Sequence, residues 1–406
     1  MRTVGRDLDK AVTRKEYFVP SLPTLWPGML LPRLGRRDGR HDIFPFDSPS
    51  ASYYYFARNA LWEAIKLLGL AGGEVIVPAY HHGVEVETLV AAGVKPVFYP
   101  VGRNWDVNPA DVEALIGPDT RALYLTHYAG FPGPTRQMRA LADHYKLPLI
   151  EDCALSLLSA EASTPLGSTG NVAFYSIYKM LPVPNGGLIV LNGELAGRAA
   201  ELEHVEAPPF ASTVSHIMSS LLQNVEFRGG KAGRLVRNGV RRLGKRTVET
   251  AGIERVTTGS DHFNPDDANL GMTSLSHNVL AAQNMARVVE VRRRNYRYLL
   301  RELRDVAPPL MPHLPEGVCP LFYPMLVHDK EEIVQKLEAR GIEAIDFWHY
   351  FHPSCDPGQF PDAAWLREHV LEIPCHQDLT PKRMAYVARV VREVVCGEQS
   401  GRAVGV

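Results

Sequence analysis

In residues 173–187, AFYSIYKMLPVPNGG, a single lysine, Lys179, interrupts an apolar and aromatic run. An ammonium group is strongly hydrated, and burying it is costly unless it is paired or neutral. Apolar surroundings therefore favour the neutral amine, which is a nucleophile and a base. Upstream, LPLIEDC carries Glu151 and Asp152 near its end. If that segment is a core strand of a parallel sheet, its terminal acids stand at the edge where such sheets bind ligands. Each feature alone has a plainer reading. Lys179 can be an exposed loop residue with its stem on Tyr178, and the acids can cap a helix or sit in a surface turn.

Taken together, the lysine and the acid are the pair that pyridoxal 5'-phosphate requires. A lysine holds that cofactor as a Schiff base and shuttles a proton between its carbon and the substrate's. An acid keeps the pyridine nitrogen protonated, so that the ring can accept electrons.

The surrounding pattern predicts elements able to place these groups. RNALWEAIKLLGL, VEVETLVAAG, PADVEALIG and PTRQMRALADHYK read as helices; EVIVP, KPVFYPV, RALYLTHY, LPLIEDC and NVAFYSIY read as strands. Short apolar strands alternating with helices predict an α/β fold, a mostly parallel sheet covered by helices on both faces. Residues 1–50 form an irregular arm, because FVPSLPTLWPGMLLP is too rich in proline for a helix. It is expected to lie over the body or over a partner subunit. Residues 51–269 make a large domain and 270–406 a smaller α+β domain, with NVLAAQNMARVVEVRRRNYRYLLREL as one long helical stretch and Gly341 as a C-terminal stop for KEEIVQKLEAR.

Composition narrows the classes. The net charge is 44 − 45 = −1, which gives no basic bias toward nucleic acid. Five scattered cysteines form no CxxC pair, so neither a disulfide framework nor a structural zinc site is expected, and a reducing cytoplasm fits. The start, MRTVGRDLDKAV, lacks a signal-peptide core.

With these blocks in order, the chain resembles the DegT/DnrJ/EryC1/StrS family of pyridoxal-phosphate sugar aminotransferases, of fold type I. The resemblance rests on RNALWEAIKLLGLAGGEVIVPAYHHGVEVETLVAAGVKPVFYPV, THYAGFPGPTRQMRALADHYKLPLIEDCA, GSTGNVAFYSIYKMLPVPNGGLIVL, RGIEAIDFWHYFHP and LEIPCHQDLT. It implies a large domain with a mostly parallel sheet between helices, and a small C-terminal domain. It also implies that Lys179 is the Schiff-base lysine and catalytic base, and that Asp152 faces the pyridine nitrogen. Arg58, Asn59 and Ala60 begin a helix where the family binds the phosphate, and Ser176 adds a hydroxyl there. His82 takes the position of a ring stacked on the cofactor, with Tyr80 or His81 as alternatives. His127 stands near the cofactor or is a buried structural histidine. Ser274, Ser276 and Asn278 stand where a neighbouring subunit supplies a phosphate contact, which implies a homodimer with a shared site.

The chain also departs from that pattern. Leu155 replaces the polar contact to the ring hydroxyl, leaving Ser156 or a water to serve. Phe174 replaces a serine, Arg58–Asn59 a Gly-Thr turn, and the Asn-x-Arg signature is missing. The implied activity is transfer of an amino group, with glutamate as donor, to a ketone or aldehyde such as a nucleotide- or lipid-linked keto sugar. The alternatives are a pyridoxal-phosphate enzyme of another reaction class, or a non-catalytic relative that binds the cofactor.

Residues 200–262 interrupt the strand–helix rhythm. Val214, Ile217, Met218, Leu221, Leu222 and Val225 share one helical face. RGGKAGRLVRNGVRRLGKR follows, cationic and weakened as a helix by five glycines. A helix docked on the body with a solvated loop is the reading taken; peripheral membrane contact through 214–246 is the alternative.

Overall fold

A computed structural model describes residues 16–30, 41–202, 206–251, 263–346, 348 and 350–402. Its centre is a seven-stranded sheet. In chain order the strands are β1 (Ser52–Tyr54), β2 (Glu74–Pro78), β3 (Lys95–Tyr99), β4 (Thr120–Thr126), β5 (Leu149–Asp152), β8 (Val172–Ser176) and β9 (Gly187–Leu191). Two two-residue strands, β6 (Ala160–Glu161) and β7 (Thr164–Pro165), make a hairpin aside from it. The spatial order is β1-β9-β8-β5-β4-β2-β3. The strands from β8 to β3 run parallel, and β9 lies antiparallel between β8 and β1. The expected mostly parallel sheet is present, and its inner strands β5, β8 and β9 are buried along their whole length.

Helices α1 (Ala57–Leu67), α2 (Val84–Ala91), α3 (Pro109–Glu113) and α4 (Thr135–Tyr145) connect these strands, and α5 (Ile177–Met180) is one turn between β8 and β9. The second lobe pairs β10 (Phe322–Leu326) with β11 (Val370–Pro374) in antiparallel register. Around them lie α7 (Ser274–Ala281), α8 (Met285–Leu303), α9 (Lys330–Ala339), α10 (Pro361–His369) and α11 (Pro381–Arg402). The expected single helix over 278–303 is two helices. Asn284 ends the continuity by capping α8, its side chain accepting from Arg287 N–H. Gly341 has φ +86° after Arg340 and stops α9 as expected.

The arm lies on its own chain. Val19 pairs with residues 341–343 through two backbone hydrogen bonds. Thr24 N–H donates to Asp378 at 3.0 Å, and Leu25 N–H to Ser220 Oγ at 2.8 Å. Phe18, Val19 and Leu25 are buried.

The insertion corrects the expectation of a loop after the docked helix. α6 (Phe210–Ala251) is helical on both sides of Gly230, whose φ 55° and ψ −126° are not helical. Glu226 accepts from Arg234 at 3.0 Å and Arg237 at 2.7 Å. In a straight helix Arg237 would lie about 16 Å along the axis from Glu226. The chain therefore reverses at Gly230 into a helical hairpin. Gly233 allows the close crossing, since a Cβ there would sit 2.1 Å from Val225 O. Two arginines of the cationic tract are thus ion-paired, and Arg228 lies over the Trp26 ring. No helix among the described residues is long and apolar enough to cross a membrane.

Candidate active site

β5 ends at the carboxyl edge of the sheet, and side-chain alternation sends its last two acids opposite ways. Asp152 opens into a cavity also lined by Phe56, Arg58, His82, Glu85, Ser176 and Lys179. Tyr124 donates to Asp152 Oδ2 at 2.8 Å, and Ala154 N–H to Oδ1 at 2.9 Å. Burial raises the Asp152 pKa, against the lowering effects of these donors and of the Lys179 charge.

Glu151 faces the other way. It accepts from His127 Nε2 at 2.9 Å, Gly167 N–H at 3.0 Å, Thr169 N–H at 2.9 Å, and Gly170 N–H. Burial pushes Glu151 up, but His127 and these amides outweigh it, so its pKa falls below the usual carboxylate range. His127 Nδ1 accepts from Gly133 N–H, which fixes the ring's tautomer. His127 is therefore the buried structural histidine and does not line the cavity. Cys153 lies close to this pair, with ligand-type atoms of all three within 4.8 Å. Glu151 is already engaged by four donors, so the trio reads as a support for the 167–170 loop.

Lys179 is the third residue of α5, half-buried where the cavity meets a second, larger chamber. The glycine pair after it works differently from a simple clearance for a ligand. A Cβ on Gly187 would lie 2.1 Å from Phe56 O, so Gly187 lets β9 press against the start of α1.

That start of α1 opens into the cavity at Ala57 and Arg58. The N-terminal N–H groups and dipole of a helix attract an anion. Ser176 Oγ, buried on the same wall, has no hydrogen-bond partner among the described residues. An unsatisfied buried hydroxyl beside a helix N-terminus fits a phosphate.

Of the helix-start trio, only Arg58 lines the cavity. Asn59 turns back as a cap, its Oδ1 accepting from Phe56 N–H and its amide donating to Asp267 O and Ala268 O. Ala60 is in the core under the sheet. Successive residues on a helix point about 100° apart, so three in a row cannot share one wall. Ser156 is buried off the cavity, and the wall it was to replace is Leu155 and Phe174, both apolar. Ser276 is buried and tied to Asn185, while Asn278 is exposed on α7 and is not on the cavity wall.

Among the three candidates for a stacked ring, His82 is the one on the cavity wall. Gly83, at φ +115°, turns the chain there, and its missing side chain admits the Tyr350 ring. His81 is buried, donates to Pro78 O, and accepts from His352 N–H. Burial pushes its pKa down to about 3, so it is neutral. Tyr80 packs on Trp348 at 4.8 Å between ring centroids.

Two wall residues were not singled out from the sequence. Glu85 accepts from His82 N–H at 2.7 Å. Burial, then the Asp152 charge, pushes it up to about 7. Trp348 comes from the second lobe, in FWHYFHP. Arg367 holds its loop, donating to Trp348 O at 2.6 Å and Ala79 O at 3.2 Å.

A mostly parallel sheet with a lysine and an aspartate converging near its carboxyl edge, above a helix-start anion seat, is a fold type I arrangement. Residues 57–216 and 246–392 match the DegT/DnrJ/EryC1/StrS aminotransferase family, and the chain belongs to that family. It is 34% identical over 140 residues to GDP-perosamine synthase of Vibrio cholerae, covering 34% of this chain and 38% of the relative. It is 35% identical over 153 residues to the L-glutamine:2-deoxy-scyllo-inosose aminotransferase of Streptoalloteichus tenebrarius, covering 36% and 35%. The matched stretch thus spans little more than a third of either curated relative. The fold is similar to that of Helicobacter pylori PseC, an aminotransferase involved in the biosynthesis of pseudoaminic acid. There the TM-score is 0.66 at 17% identity, covering 94% of this chain and 100% of the other.

Proposed function

We propose that the protein is a pyridoxal-phosphate-dependent aminotransferase that moves an amino group, with glutamate as donor, onto the carbonyl of a keto sugar or a similar ketone. The observation that carries this reading is the convergence of Lys179, Asp152, His82 and Ser176 on one cavity with the N-terminus of α1. The named relatives, which act on sugars and a cyclitol by their names, support the acceptor class.

When bound, the cofactor supplies an electron sink for charge developing at the amine-bearing carbon. Asp152, held by Tyr124 and Ala154, keeps a proton on the ring nitrogen. Ser176 and the α1 amides hold the phosphate, with Arg58 beside them. His82, on the cavity wall, would stack on the ring. Lys179 takes and returns a proton at Nζ, the transfer that both halves of a transamination need. Trp348, on the cavity wall, would add an apolar face against the bound cofactor. A homodimer is part of this proposal, with Asn278 exposed for the neighbouring subunit's site.

The test is the visible spectrum with and without an amino donor. A cofactor band bleached by glutamate supports the reading. A cofactor band that neither glutamate nor glutamine alters would move the protein to another pyridoxal-phosphate reaction class.

A further inference from the structure

Lys179 stands in a turn that cannot hold itself. α5 is four residues long, Ile177–Met180, too short to be stable from its own bonds. Pro182 and Pro184 follow, and proline has no N–H to donate. The front of the turn is tied to the start of β9, where Ile177 N–H donates to Gly186 O at 2.8 Å. Its end is tied across to the second lobe. The carbonyl of Met180, the residue after Lys179, accepts from Arg292 Nη2 at 3.0 Å and from Gln377 Nε2 at 2.9 Å. A carbonyl oxygen has two lone pairs, and both are engaged.

The two donors belong to one frame. Arg292, on α8, also donates through Nε to Gln377 Oε1 at 2.8 Å, and through Nη1 to Leu321 O at 2.9 Å and Pro320 O at 3.3 Å. Its side chain is wholly buried, and all these acceptors are uncharged oxygens. Burying a guanidinium is costly, and its hydrogen bonds must be made to offset that cost. The planar fork suits Arg292 to bridging several fixed oxygens at once. About one turn along α8, Asn295 donates to the carbonyls of Cys375, His376 and Leu379, which fixes the loop that carries Gln377. Neither Arg292 nor Gln377 is on the wall of the cavity or of the second chamber.

We infer that Arg292 and Gln377 are positioning residues for Lys179: through the Met180 carbonyl, the second lobe fixes the backbone from which the lysine reaches the cofactor. The inference rests on Lys179 being the cofactor lysine, as proposed above, and adds what holds it in place. Lys179 acts first as a nucleophile and then as a proton carrier, so its Nζ moves while its Cα stays. A displacement of about 1 Å in such a group costs up to about 100-fold in rate.

Gln377→Glu separates positioning from stability. The glutamate keeps an oxygen for Arg292 and stays ionised beside that guanidinium, but it has no hydrogen to donate to Met180 O. Full-length protein, stripped of cofactor, is mixed with pyridoxal phosphate and sampled into borohydride at set times. The adduct on the tryptic peptide that contains Lys179 is then quantified. Its rate of formation is expected to fall about tenfold or more. The melting temperature of the cofactor-free variant is expected to lie no more than about 2 °C below wild type. In the loaded variant, bleaching by saturating glutamate is expected to slow by a similar factor, with the half-saturating glutamate concentration changed less than about threefold. Gln377→Met removes the same donor and adds no charge; it is expected to show the same loss of rate, and it decides alone if Gln377→Glu does not fold. Arg293→Met is the control, because Arg293 ties α8 to the carbonyls of Pro315 and Val318. It is expected to form the adduct at the wild-type rate even where it melts lower.

A wild-type rate of adduct formation in the folded Gln377 variant, or an equal fall in Arg293→Met, would overturn the inference. Wild type that forms no adduct on Lys179 overturns the cofactor reading and this inference with it. Wild type that forms the adduct but is not bleached by glutamate or glutamine overturns the aminotransferase reading alone, and the rates of adduct formation then decide the inference.

Discussion

Tyr124 donates its phenolic hydrogen to Asp152 at 2.8 Å, from the strand next to the one that carries the aspartate. The register pairs Thr126 with Asp152, so the tyrosine stands two residues back along β4, on the same face of the sheet. Burial favours a neutral Asp152, and Tyr124 is one of two hydrogen-bond donors that oppose it. Tyr124→Phe removes that donor and leaves the ring. A hydrogen bond to a charged group is worth about 1.5–3 kcal/mol. Cofactor affinity, measured by titrating cofactor-free protein with pyridoxal phosphate, is expected to fall by roughly 10- to 100-fold.

The neighbouring histidines separate structure from site. His82→Ala is expected to weaken cofactor binding while the melting temperature holds. His81→Ala strips a buried ring that ties residues 78 and 352 together, and is expected to lower the melting temperature by several degrees. Thermal unfolding of the two variants beside the cofactor titration reads both effects. Equal cofactor loss in both would mean that the roles are misassigned.

Glu85 sets a pH dependence whose sign is fixed. Its pKa is pushed up to about 7 by burial first and by Asp152 second, with Lys179 lowering it. Between the ordinary glutamate value and about 7, the folded protein binds more protons than the unfolded chain. Stability from this group is therefore lost as pH rises through that window. Glu85→Gln keeps an acceptor for His82 N–H and removes the titration. The cofactor-free variant is expected to melt within a degree or so of wild type near pH 5 and a few degrees higher near pH 8. A pH-independent difference would contradict the assignment.

The hairpin turn is a mechanical claim about residues 226–237. Gly233→Ala places a methyl group on the Val225 carbonyl, a contact that backbone must move to relieve. Overpacking of this kind costs about 1–3 kcal/mol. The expected outcome is a lower unfolding midpoint in urea. Unchanged stability would mean that the two helices do not cross there.

Much of the site was legible because it depends on strand ends. Lys179, Asp152, His82, Arg58 and Ser176 lie where apolar strands stop and short segments turn, and all five line the cavity. Asn59 and Ala60 turn their side chains off the wall that Arg58 faces, as helix geometry requires. Ser156 is buried beside Leu155 and is not on the cavity wall. Trp348 and the face of α6 from His216 to Gln223 that lines the second chamber belong to distant segments, and no periodicity tells which side of a docked helix a chamber will occupy. The reversal at Gly230 was hidden for a related reason. Its evidence is the pairing of Glu226 with Arg237, a tertiary contact.

The central claim is that Lys179 carries the cofactor. The most direct measurement is the visible absorption spectrum of purified wild type beside Lys179→Ala, each supplied with pyridoxal phosphate, before and after borohydride. The account predicts a yellow band in the wild type and a borohydride-fixed adduct on the tryptic peptide that contains Lys179. In the variant, the cofactor is expected to bind only reversibly, with no adduct. An adduct on another lysine, or a wild type that takes up no cofactor in excess, would contradict the account.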